Sequence, residues 1–162
     1  MITQHCLKRL LRYDKKSGKW TWLVSRSNVV RAGTQAGSIH SSGYMHIKIF
    51  GRLYKAHRLA WLYIKGEWPT LDVEHKNLKK SDNRWKNLRE SDDSGNQANT
   101  GRRRDNNSGF KSVHRRSDGK YRARVQRNGK RISLGSFATP EAAHAAYVKA
   151  AKKHFGKFAR AA

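Results

Sequence analysis

The period of apolar positions changes repeatedly along this chain, and each change predicts an element. Leu7, Leu10 and Leu11 share one face of a helix over residues 6–13, with Lys8, Arg9 and Arg12 largely off it. A polar turn at Asp14–Gly18 follows. Trp20, Trp22 and Val24 then alternate with polar residues, as in a half-buried strand. Residues 25–42 are polar and contain glycine, predicting a long loop with a short strand near Gly37–Ile39. Met45, Ile47 and Ile49 alternate again, Phe50-Gly51 makes a turn, and residues 52–56 return as the second strand of a hairpin. A helix over 57–65 packs Leu59, Leu62 and Tyr63 on that hairpin and stops at Gly66 and Pro69.

The second half shifts period twice more. Residues 71–75 read as a short strand, 76–84 as a polar loop, and 85–89 as a returning strand with Leu88 inward. Ser91, Asp92 or Asp93 caps a short helix that ends near Gly101. Strand, loop, strand and helix thus follow within about 30 residues, a ββα unit by the period of its positions. Residues 100–108 contain no apolar side chain and form the best boundary in the chain. Three strands are predicted between 110 and 136, separated by Ser117-Asp118-Gly119 and by the hairpin signal Asn128-Gly129. Tyr121, Ala123 and Val125 give the middle strand an apolar face, while Arg122, Arg124 and Gln126 give it a polar, basic one. Thr139-Pro140-Glu141 opens a final helix, with Ala143, Ala146, Tyr147 and Ala150 on its inner face and Gly156 at its end.

Charge decides the class of partner. The 162 residues carry 36 Lys and Arg against 11 Asp and Glu, a formal +25, with a pI near 10.9. Nucleic acid is the expected partner, the basic strand face over 121–127 suits the major groove of double-stranded DNA, and no amphipathic basic helix suggests a membrane surface. No apolar run approaches the roughly 20 residues of a membrane span, and the first residues, MITQHCLKRLLRYD, lack the apolar segment of a signal peptide. A soluble intracellular protein is expected. The single Cys6 excludes an intrachain disulfide framework.

The acids are not spread evenly. Seven of the 11 fall between Glu67 and Asp93, around one His and several asparagines. Oxygen donors beside an imidazole suit a hard divalent cation and a proton acceptor, and the surrounding Lys and Arg suit a polyanion. Together they predict metal-assisted cleavage of a nucleic-acid backbone. Alone, His75 is more often an exposed or capping His; its place after an acid inside an acid-rich island reverses that preference. His57 reads as a cap or packing residue, and His114 and His144 carry no ligand spacing. The tryptophans read as core.

These residues carry two resemblances. The stretch VEHKNLKKSDNRWKNLRESDDSGNQAN resembles the HNH motif of phage and intron-encoded homing endonucleases, and AHRLAWLYIKGEWP before it is similar to the segment that commonly precedes that motif. The stretch SGFKSVHRRSDGKYRARVQRNGKRISLGSFATPEAAHAAYVKAAKKHFG resembles the APETALA or ethylene-response type of DNA-binding domain. The implied fold class is α+β: an N-terminal β-rich region leading into a ββα-metal HNH module, then a three-stranded antiparallel sheet packed on one helix. The implied domains are an HNH nuclease region over 1–100 with its core at 71–100, a basic linker at 101–108 and a DNA-binding domain at 109–158.

By resemblance, His75 is the general base, Asn87 steadies the hairpin, and Glu74 and Asn96 bind the metal, with Asn99 the second choice for the last position. Glu74 departs from the Asp usual there, and its extra methylene reaches further. The implied cofactor is a divalent ion, Mg²⁺ first, with Mn²⁺ or another divalent ion as alternatives, and no small-molecule cofactor. DNA contacts are expected from Arg102, Arg103, Arg104, Lys111, His114, Arg116, Arg122, Arg124, Gln126, Arg131 and Ser133. The expected activity is metal-dependent endonucleolytic hydrolysis of DNA with the C-terminal domain selecting the target. The alternative is a sequence-specific DNA-binding protein with weak or lost cleavage. Monomer or homodimer stays open.

Overall fold

The computed structural model describes residues 1–160, Lys157 by its backbone alone. It divides into two compact units, Met1–Glu90 and Ser91 onward. Among the described residues the elements are four α-helices and ten strands in small antiparallel sheets, the mixed α+β class the sequence predicts.

In the first unit, α1 (Gln4–Leu10) is capped by the Thr3 side chain and ends sooner than its leucine spacing predicts. Leu11 and Tyr13 belong instead to β1 (Leu11–Tyr13), which pairs with β2 (Trp20–Trp22). The helical and strand periods overlap at Leu11, and burial settles the choice: in the strand, Leu11, Tyr13, Trp20 and Trp22 all reach the core. Gly18 sits in the connecting turn at φ +75°. A Cβ there would stand 2.5 Å from the backbone carbonyl carbon of Asn83 and the backbone nitrogen of Arg84, so only glycine permits this approach.

A second sheet runs β3 (Ser38–Ile39), β4 (Met45–Ile49), β5 (Arg52–Lys55). Helix α2 (Ala56–Lys65) lays Leu59, Ala60 and Leu62 against Ile47, Ile49, Leu7 and Trp20, and Gly66 ends it in the left-handed conformation. Then come β6 (Asp72–His75) and β7 (Leu88–Ser91), paired in a two-stranded sheet whose Val73 and Leu88 join this core. The return strand starts three residues later than predicted, because Trp85–Asn87 form a 3₁₀ turn.

In the second unit, α3 (Asp93–Asn99) is capped by the Asp92 carboxylate, which accepts from the Gly95 N–H at 2.7 Å. No helix or strand occupies residues 100–112. Strands β8 (Val113–Arg115), β9 (Tyr121–Arg127) and β10 (Lys130–Phe137) form an antiparallel sheet in the order β10-β9-β8. Helix α4 (Pro140–Phe155), N-capped by Thr139, buries Ala143, Tyr147 and Ala151 against Val113, Ala123 and Val125. The predicted inner face is displaced by one position at its end, with Ala151 rather than Ala150 fully buried.

Candidate active site

The acid-rich stretch folds into a loop held by its own polar side chains. Asn87 is the staple. Its backbone oxygen accepts from the Lys76 N–H at 2.8 Å, its Oδ1 from the Asn77 N–H at 3.1 Å, and its Nδ2 donates to Asn77 Oδ1 at 2.9 Å and to the Asp82 carbonyl at 2.8 Å. Four bonds from one asparagine close residues 76–87 into a fixed ring. Asp82 adds a bidentate pair with Arg84 (Nε to Oδ1 2.7 Å), and this hydrogen bonding holds its carboxyl well below the usual range.

His75 ends β6 and is 5% exposed. Its Nε2 lies 3.2 Å from Asn83 Oδ1. The orientation of that amide is fixed from the other side, since Asn83 Nδ2 donates to the Ser81 carbonyl at 3.2 Å. A flipped amide would set oxygen against oxygen there, so Oδ1 faces the ring. Oδ1 only accepts, hence Nε2 carries the proton and the lone pair resides on Nδ1. Burial lowers the His75 pKa, partly offset by the Asn83 bond and the nearby Asp82 charge. The imidazole is therefore neutral at pH 7, the form that accepts a proton.

Asn83 is itself 1% exposed, and its backbone is clamped from the N-terminal hairpin. The Tyr13 hydroxyl donates to the Asn83 carbonyl at 2.6 Å, the Trp85 N–H donates to the Lys15 carbonyl at 3.0 Å, and Gly18 makes its close approach between these bonds. The faces of the His75 ring are closed by aromatics: His57 stands edge-on at 4.9 Å and Tyr44 tilted at 5.9 Å between centroids. His57 is 3% exposed, its Nδ1 has no hydrogen-bond partner, and burial together with the neighbouring His75, Lys55, Arg58 and His46 pushes its pKa down to about 3. Lys55 and Lys80 bring their ammonium groups to 4.9 and 4.7 Å from the Tyr44 ring centre.

Glu74 precedes His75 on β6 and is 6% exposed. Its Oε1 accepts from Arg89 Nε on β7 at 2.5 Å, while Oε2 is buried without a hydrogen-bond partner. A buried carboxylate oxygen left unsatisfied is costly unless something else takes it, and a divalent cation is a fitting occupant for such a donor. Among the described residues no three His, Cys, Asp or Glu side chains converge on one point, so amide oxygens and external oxygens would have to complete a shell around Glu74. Asn96 lies exposed on α3 of the second unit, and Asn99 on the same helix is buried.

The candidate DNA-contact residues lie in the second unit. Cross-strand pairing sets His114 opposite Arg122, Arg124 opposite Ser133 and Gln126 opposite Arg131, so these six occupy one face of the sheet, away from α4. A bulge between Ser133 and Gly135 brings Ser136 opposite Arg122, and Arg116 sits 3.5 Å from its hydroxyl. Burial and the neighbouring Arg122 and Arg131 lower the Arg124 pKa, the sign of guanidinium groups crowded together. From the linker, Arg103 lines a concavity of about 220 Å³ with His114, Arg124 and Arg131. Arg102 donates to the Asn106 carbonyl at 3.0 Å, and Arg104 is exposed. Lys111 differs from the rest. It is 7% exposed, with its ammonium donated to the Ala98 carbonyl near the end of α3, and burial lowers its pKa to about 8. That bond turns Lys111 inward, away from the basic face.

Sequence reasoning left Asn83 unassigned and read His57 chiefly as a cap or packing residue, with a phosphate contact the lesser alternative. Neither carries a spacing signal. What marks them is burial of a polar side chain against His75, which only the folded chain displays.

Residues 54–98 match the HNH endonuclease family. That likeness to HNH endonucleases falls on the stretch that contains Glu74, His75 and Asn87. Among solved structures, that of the HNH homing endonuclease I-HmuI, described as binding and cleaving DNA, is 24% identical with a TM-score of 0.43. The match covers 56% of this chain and 51% of that one, so it spans about half the length of the relative. No curated protein matches the chain. Among the described residues no helix is long and apolar enough to cross a membrane.

Proposed function

We propose that the chain is a metal-dependent DNA endonuclease of the homing type, with His75 as general base and the C-terminal sheet as its DNA-binding face. One observation carries the catalytic half: a histidine with its Nε2 proton fixed by Asn83, directly after a buried carboxylate that still has an unsatisfied oxygen. Hydrolysis of a phosphodiester needs a water relieved of its proton, and His75 Nδ1 is the atom that takes it. Asn83 then stabilises the imidazolium by keeping its acceptor on Nε2–H. Asn87 is a positioning residue that holds the hairpin loop, and the lysines at Tyr44 supply positive charge beside the base for a phosphate strand. Glu74 would hold the divalent ion, Mg²⁺ first, with external oxygens completing its shell. Such an ion, when bound, neutralises charge on the phosphoryl group and stabilises the departing oxygen.

For target recognition, the residues are His114, Arg116, Arg122, Arg124, Gln126, Arg131 and Ser133, with Arg103 alongside. A three-stranded sheet that covers its apolar face with α4 and leaves arginines on the other suits a major groove, where guanidinium groups read base edges. This is the pattern expected of an APETALA-type domain over 109–158, after a linker at 101–108.

A second reading is favoured by two specific observations: Arg89 already neutralises Glu74, and the His75 ring is almost sealed. In that reading the chain binds DNA and cuts it weakly or not at all. Supercoiled plasmid incubated with Mg²⁺, with and without chelator, separates the two. Nicked or linear product that vanishes with chelator and with His75→Ala supports the endonuclease. Retarded but intact plasmid in every lane supports the second reading.

A further inference from the structure

We propose that the tip of the β4–β5 hairpin is a wedge that inserts into duplex DNA, with Phe50 as the inserting side chain; the proposal rests on the chain's acting on DNA. Among the described residues Phe50 is the single aromatic left exposed, at 64%. Its backbone is equally out of place. Phe50 at φ +48° and Gly51 at φ +78° form a two-residue turn of the kind that favours asparagine, aspartate or glycine at both positions. A phenylalanine there is disfavoured by solvation and by conformation together. Folding alone does not account for it, and strain at an exposed tip points toward function.

The surroundings identify the occupant. Between Lys15 and Gly66 the chain has ten Lys and Arg and no Asp or Glu. Lys48 and Arg52 flank the tip and are exposed. Arg26 donates to the Lys48 carbonyl at 2.9 Å, with its guanidinium 4.8 Å from the Trp22 ring centre and 5.8 Å from that of Phe50, so the 23–31 loop is fastened to the hairpin and stiffens it. Leu53, 62% exposed, stands on the strand opposite Lys48 just behind the tip. An apolar point on a rigid hairpin, ringed by cations and free of carboxylates, fits a polyanion with an apolar interior accessible between its steps. Stacked base pairs meet that description, and Phe and Leu are among the side chains that wedge them apart and kink the helix. A second copy of this chain does not fit, since the same cations would face each other.

The test uses the full-length protein, a relaxed plasmid and a metal-independent type I topoisomerase, all in EDTA. It reads unwinding whether or not the chain cuts. Wild type should shift the topoisomer distribution in proportion to bound protein. Phe50→Asn, at occupancy matched by gel retardation, should lose at least half of that shift. The variant should also melt no lower than wild type, because asparagine suits the turn. No shift by wild type, equal shifts by both proteins, or a lower melting temperature for Phe50→Asn each overturns the wedge. Phe50-dependent dimerisation without DNA, seen by sedimentation, overturns it too. Failure of Mg²⁺-dependent nicking in a parallel tube bears on the endonuclease reading and leaves the wedge standing.

Discussion

Replacing His57 with Phe should flatten the acid limb of this protein's stability. The native imidazole titrates near about 3, against 6.5 for an unperturbed histidine, because burial and the surrounding cations disfavour its charged form. Between those two values the unfolded chain binds a proton that the folded chain refuses. Stability from this group is complete above pH 6.5 and falls as the pH drops toward 3. The slope is about 1.4 kcal/mol per pH unit, so going from neutral to pH 5 should remove roughly 2 kcal/mol through His57 alone. Phe has nearly the same shape and keeps the ring contacts with Tyr44 and His75, and of the two ring nitrogens it gives up, Nδ1 has no hydrogen-bond partner. Urea denaturation of both proteins at pH 7.5, 6, 5 and 4.5 measures the difference. The two curves of unfolding free energy should diverge below pH 6.5, wild type falling faster. Parallel curves would refute the reasoning and mean that His57 accepts its proton without leaving its seat.

Three further outcomes follow from the same geometry. Asn83→Leu removes the acceptor that fixes the Nε2 proton; cleavage should drop by about 10²-fold or more, with DNA retention in gels unchanged, while the acid limb of the wild-type rate profile should titrate below 6.5, the direction of the His75 shift. Gly18→Ala should destabilise the protein by at least ~1–2 kcal/mol from backbone strain, and nicking should fall even though residue 18 is outside the proposed catalytic residues, as denaturation and plasmid assays on the same preparation can check. Arg89→Gln leaves the Glu74 carboxylate without its countercharge at a cost of roughly 3 kcal/mol, and millimolar Mg²⁺ should restore part of the lost melting temperature if Glu74 binds the ion; equal melting with and without Mg²⁺ argues against that ligand.

The fold was legible where local chemistry is decisive. Thr139-Pro140-Glu141 opens α4 as predicted, Asn128-Gly129 makes the β9–β10 turn with both residues at positive φ, and Gly66 stops α2. Where two periods compete, tertiary packing decides. Leu11 continues the α1 pattern equally well as helix or strand, and the Trp20–Trp22 partner strand draws it into β1. The candidate site was legible as a sequence motif, since Glu74, His75 and Asn87 stand in a spaced run of polar residues. Its supporting shell was not. Asn83 matters through a 3.2 Å bond across the loop, and His57 through a ring contact across 18 positions of chain; neither distance leaves a trace in composition or period. Lys111 shows the opposite error, a lysine in a basic stretch whose charge is folded inward onto a carbonyl.

The crowding of Gly18 against the Asn83–Arg84 backbone bears on how short a fragment of this chain could still hold His75 in place. A gene fragment spanning only residues 54–98 would keep Glu74, His75, Asn87 and Asn96 yet discard the remote turn, along with Tyr13, that props the amide behind the imidazole. Minimised or chimeric versions should begin upstream of Tyr13 and keep the glycine, or they will inherit a proton acceptor with nothing to hold its tautomer.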